Sequence, residues 1–190
     1  MSKQDVDKIY VRDVINEILF PTSDYRSVKK KEERSKEEDN SKNVDSSICA
    51  KCGGKCCKIC GCHFSPDDFK DISFEGLKKE IEKGYISIDH VDSEICYLDY
   101  GIYILRVRNQ GAPIVDTGVR RTPCSLLTSN GCKLSYENRP TGGKMLIPSN
   151  IMKCESKYSI DDCCYDWKTY QNVLYQLVQY FRNRNFPCSL

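Results

Sequence analysis

The chain of 190 residues has only two histidines, His63 and His90, so acid–base chemistry built on imidazole has few players. It has no apolar stretch long enough to cross a membrane, and its opening, MSKQDVDKIY, lacks the apolar core of a signal peptide. Neither sign of charge dominates. Lys and Arg number 29 against 27 Asp and Glu, a net charge of +2, so nothing global argues for a nucleic-acid or membrane partner. A phosphate-cradling loop is missing too, because Gly53-Gly54 lacks the lysine and hydroxyl pattern of a P-loop. No Cys-x3-Cys-x2-Cys run of the radical-SAM type occurs, since Cys52-x3-Cys56 is followed at once by Cys57. These absences leave it open whether the chain is an enzyme. They point to a cytoplasmic location.

Cysteine is present in excess, at thirteen residues. Without a route to an oxidising compartment, the cysteines read as metal ligands or redox-active thiols in preference to a disulfide framework. Six of them, Cys49, Cys52, Cys56, Cys57, Cys60 and Cys62, fall in the single stretch CAKCGGKCCKICGCH, with Gly53, Gly54 and Gly61 between them. Thiolates this close in sequence can turn inward on one loop and hold a soft metal or an iron–sulfur cluster. Glycine suits such a loop, because it allows positive φ and close backbone approach.

Organisation follows from the pattern of apolar residues. Val6, Tyr10, Val14 and Ile18 recur every fourth position and predict an amphipathic helix within 1–21, packed on the domain or on a partner protein. Residues 22–47 are almost free of apolar side chains and read as a charged, solvated linker. The cysteine-rich domain would then span 48–190. Within it, Ser65-Pro66-Asp67-Asp68 looks like a helix start, and a second start at Ser73 leads to Leu77 and Ile81 before Gly84. Tyr85, Ile86 and Ile88 suggest a short extended piece, and 97–119 a β-hairpin turning at Asn109-Gln110-Gly111. A last helix beginning at Asp161 or Asp166 carries Trp167, Tyr170, Leu174, Leu177 and Phe181 at core spacing. The expected fold is a small α+β domain with a loop-borne metal site, a β-hairpin and flanking helices.

Further thiols can close the nest. Cys124 and Cys132 bracket a turn at Asn130-Gly131, so both sulfurs can face it from one loop. Arg139-Pro140 follows, and an arginine there would offset polythiolate charge that is costly to bury unpaired. Cys96 reads as buried packing and Cys188 as a free thiol. His63 reads as a polar loop residue, with zinc ligation as the sharper alternative.

This set of motifs resembles the YkgJ-type cysteine-cluster family, a zinc- or iron-chelating domain whose motif also occurs in flagellin lysine-N-methylases. The resemblance runs from Cys49 to Gly143, through Cys49-x2-Cys52-x3-Cys56-Cys57, Gly131-Cys132 and Tyr136-x2-Arg139-Pro140. It implies Cys49, Cys52, Cys56, Cys57, Cys124 and Cys132 as ligands of an iron–sulfur cluster, slightly favoured, or of zinc. Arg139 and Pro140 would shape the cofactor-binding loop. Redox or group-transfer chemistry would follow from a cluster, and a non-catalytic zinc module binding another protein is the alternative. Two departures stand out. The family has two residues, not three, before the adjacent cysteines, and it carries a cysteine where this chain has Gly143. Cys154 and the Cys163-Cys164 pair are the candidates to replace that ligand. Cys60, Cys62 and His63 lie outside the shared pattern and would extend the site or make a second one.

Overall fold

The computed structural model describes residue 51 and residues 53–96, 100–116, 122–147 and 154–184. The expected N-terminal helix, the linker, Cys49, Cys52 and Cys188 lie outside the described residues, as does the side chain of Cys96.

The fold is α+β. Helix α1 (Phe74–Glu82) starts where the Ser73 hydroxyl accepts the Gly76 N–H at 3.2 Å, and it buries Leu77 and Ile81 completely. The earlier start at Ser65 produces only one 3-10 turn, Pro66–Asp68. Its capping box is present, but the Asp68 carboxylate is also engaged by Thr141, and the chain turns extended at Phe69 instead of propagating.

Strand β1 (Ile86–Val91) pairs antiparallel with β2 (Ile102–Val107), from Ile86 opposite Val107 to Val91 opposite Ile102; α2 (Ser93–Cys96) lies between them in sequence. The two-residue β3 (Val115–Asp116) runs parallel to β1 on its other edge, giving the order β2-β1-β3. The expected hairpin between residues 102–108 and 114–115 is therefore not formed. Its turn exists, with Ala112 N–H donating to Asn109 C=O at 3.1 Å, but the returning chain passes to the far edge of β1. The reason is burial: Ile86 and Ile88 are wholly inaccessible, and a strand buried this deeply needs partners on both edges to satisfy its backbone.

Two short ribbons follow, β4 (Leu127–Thr128) with β5 (Gly131–Cys132), and β6 (Leu146–Ile147) with β7 (Glu155–Ser156); α3 (Thr141–Lys144) precedes the second. The expected last helix is two helices, α4 (Ile160–Trp167) and α5 (Gln171–Asn183), separated by the 3-10 turn Lys168–Tyr170. Ser159 caps α4 in a reciprocal box with Asp162, so the start lies just before Asp161. At the break, the Gln171 amide donates to Tyr103 C=O and accepts Tyr103 N–H, both at 2.8 Å, fixing α5 to β2. Trp167, Leu174, Leu177 and Phe181 are core, as their spacing predicts. No helix among the described residues is long and apolar enough to cross a membrane.

The core reaches the cysteine-rich segment through Phe64. Its carbonyl accepts the Trp167 indole N–H at 2.7 Å, and the Cys163 thiol lies 3.6 Å from the same oxygen. Trp167→Phe keeps an aromatic ring but removes part of the buried volume and leaves that carbonyl short of its main donor. It should lower stability by about 1–3 kcal/mol, read as a shift of the denaturant midpoint at unchanged m-value.

Candidate metal centre

The segment from Cys56 to Phe64 is built on backbone geometry. Gly53 and Gly54 both sit at positive φ and turn the chain into the 3-10 turn Cys56–Lys58. Beyond it, residues 62–64 lie along the outer edge of β2: Val107 N–H donates to Cys62 C=O and Phe64 N–H donates to Leu105 C=O, each at 2.9 Å. Gly61 N–H donates to the Asn109 side-chain oxygen at 2.8 Å, and a Cβ on Gly61 would drive into the Val107 carbonyl.

The second loop docks directly on the first. Cys124 N–H donates to Cys57 C=O at 2.7 Å, and Asn109 forms a bridge with Cys124. The β4–β5 ribbon then returns through Asn130-Gly131 and sets Cys132 opposite Leu127. The third piece is the Arg139–Lys144 turn. Asp68 holds it by accepting Thr141 N–H at 2.9 Å and the Thr141 hydroxyl at 2.9 Å, while Gly142 N–H donates to His63 C=O at 3.0 Å.

Around this frame the thiols sense one another. Cys56 and Cys57 stand with sulfurs 4.0 Å apart. The Cys56 thiol is pushed far up, first by its hydrogen bond with Cys57, then by burial and by charge on Cys57; a hydrogen bond with Cys154 works the other way. Cys62 is pushed up by burial and then by Cys124 and Cys132. Burial also raises Cys124, with Cys132 and Cys60 adding to it. Cys60, exposed on its outer side, is raised by partial burial against the pull of Arg106. His63 is held neutral by burial and by Arg106, its imidazole pushed down to about 4.

Cys56, Cys57, Cys124, Cys132 and Cys154 thus share one neighbourhood, together with Cys60 and Cys62, which the motif leaves out. Cys163 and Cys164 are placed differently. Both are fully buried on α4 within the hydrophobic core, because their helical positions share the inward face with Trp167. Arg139 lies beside the site, its guanidinium 6.0 Å from the Tyr136 ring centroid and its Nε buried with no hydrogen-bond partner among the described residues. Pro140 is the buried residue from which α3 starts.

Two further arginines escaped the sequence reading. Arg106 and Arg108 are each 5% exposed, two positions apart along the strand and so on one face. Arg106 Nε lies 2.6 Å from Asp89 Oδ2, and Ser87 donates to Asp89 Oδ1 at 2.8 Å. Arg106 Nη2 and Arg108 Nε have no hydrogen-bond partner among the described residues. Their mixture with Ile102 and Ile104 on one face was the available signal for a charged lining under a loop.

The donor set suits a soft cation. The resistance to ionisation at Cys56, Cys60, Cys62 and Cys124 is what a metal reverses, since it binds the thiolate and repels the proton. Among the described residues, no three His, Cys, Asp or Glu side chains converge closely enough to chelate an ion as they stand. No protein-family model matches the chain, and no curated protein or solved structure matches it. The resemblance to the YkgJ-type family accordingly rests on the quoted motifs alone.

Gly61→Ala tests the frame. The new methyl must displace the Val107 backbone, which should cost about 1–3 kcal/mol in chemical denaturation, the range for overpacking a filled site.

Proposed function

We propose that this chain is a metal-binding protein of the cysteine-cluster kind, with the thiolates of Cys56, Cys57, Cys124 and Cys132 as ligands from the described loops. Cys49 and Cys52 would complete the set from outside the described residues, and Cys154, which shares a hydrogen bond with Cys56, is the supplementary ligand. The observation that carries the reading is the docking of the two cysteine loops through Cys124 N–H and Cys57 C=O at 2.7 Å. It draws together Cys57 and Cys124, 67 positions apart in the sequence, at the edge of the hydrophobic core.

The cargo is an iron–sulfur cluster or zinc, in a cytoplasmic protein. A cluster would supply one-electron chemistry, in support of redox or group-transfer work; zinc would pin the loops for a protein partner. The chain's own contribution is easier to specify. Its thiols give up protons on binding, and the buried guanidinium of Arg106, whose charge reaches Cys60, offsets part of the resulting negative charge.

The test is metal and acid-labile sulfide analysis, with a visible spectrum, on full-length protein purified without oxygen from iron-replete cells. Iron with sulfide and a brown colour supports the cluster; stoichiometric zinc in colourless protein supports the zinc module. Folded protein free of both metals overturns the reading. Cys57→Ser and Cys124→Ser should each lose most of the metal, whereas Cys188→Ser should keep it. Equal metal in all three would remove the ligand assignment.

A further inference from the structure

Gly142 and Gly143 stand together in α3, yet the surroundings require glycine for different reasons. At Gly142 a Cβ would meet the backbone of His63, its carbonyl oxygen at 2.8 Å and its nitrogen at 2.9 Å, so any side chain would push the two segments apart. At Gly143 the backbone makes no such demand: its φ is outside the left-handed region and no neighbouring backbone atom comes close. What a Cβ there would meet first is the Cys62 sulfur, at 3.1 Å, followed by Arg139 Cβ at 3.3 Å. The sulfur of Cys62 therefore fills the volume that a side chain at 143 would take.

That sulfur is held there by the fold. The Cys62 carbonyl is bonded to Val107 on one side, and the Gly142 N–H is bonded to the adjacent His63 carbonyl on the other. The thiol lies between β2 and α3, partly buried, and the adjacent Gly61 N–H is bonded at 2.8 Å to the side chain of Asn109, the residue that forms a bridge with Cys124.

Resting on the metal-binding reading above, we infer that Cys62 is a ligand of the same site, grouped with Cys124 and Cys132, and that Gly143 is the residue that makes room for its sulfur. The two positions are alternatives for one thiolate. A cysteine at 143 would direct its sulfur from the facing wall into the volume that Cys62 now occupies. Cys62 thus supplies from the first loop what could equally be supplied from α3.

The exchange can be tested with cobalt(II) alone added to reduced, metal-free full-length protein, reading the sulfur-to-cobalt charge-transfer band, which grows with the number of coordinated thiolates. Cys62→Ala should lose part of that band and bind cobalt at least about tenfold more weakly, since loss of even an outer-shell partner costs that much. Adding Gly143→Cys to Cys62→Ala should restore both band and affinity. Near-UV circular dichroism of Trp167 checks that each variant is folded. Wild-type intensity and affinity in Cys62→Ala would overturn the inference, and so would a folded double variant that stays as weak as the single one. Wild-type protein that binds no cobalt would instead overturn the metal-binding reading beneath it.

Discussion

Everything around the candidate centre depends on the pairing of residues 62–64 with the outer edge of β2. Two backbone hydrogen bonds of 2.9 Å, at Val107 to Cys62 and Phe64 to Leu105, attach an otherwise irregular loop to the most deeply buried strand pair. Without them residues 53–64 have no regular structure longer than one 3-10 turn. With them, Phe64 faces the core, its carbonyl meets Trp167, and Cys62 is held against α3. A loop rich in glycine and lysine cannot bury enough apolar surface to order itself, so order is borrowed from the sheet.

Charge is the second constraint. The protein buries Arg106 and Arg108, neither fully hydrogen-bonded among the described residues, and the charge of Arg106 reaches Cys60 among the thiols. Buried cations without full pairing are costly, and a cluster of neutral thiols does nothing to compensate them. The arrangement becomes balanced when the thiols ionise, which is the state a bound metal enforces. Asp89 already takes part of the Arg106 charge, at 2.6 Å, and burial pushes its own carboxyl up despite that neighbour.

The helices show where local signals were enough. Ser73, Leu77, Ile81 and Gly84 mark α1 because caps and 3.6-residue spacing act over one or two turns. Ser65-Pro66-Asp67-Asp68 carries equally good local signals and stops after one turn, since Asp68 serves a partner 73 residues away. The strand pairing failed for the same reason. Residues 109–111 do turn, but which edge the chain joins next was decided by the burial of β1, which no local pattern around Asn109 encodes. The burial of Arg106 and Arg108 was not legible either, because alternation assigns faces without saying which face a later loop will cover.

The sequence by itself determined the chemistry and the crude parts: many thiols in two motifs, a turn between Cys124 and Cys132, and helices where apolar residues step by three and four. Residue type and short spacing are enough for that. Only the tertiary structure decided membership. It docked Cys124 on Cys57, set the Cys62 sulfur against Gly143, and took Cys163 and Cys164 into the core with Trp167. Those assignments come from strand register and from the space left at Gly143, and both are relations between segments far apart in the chain.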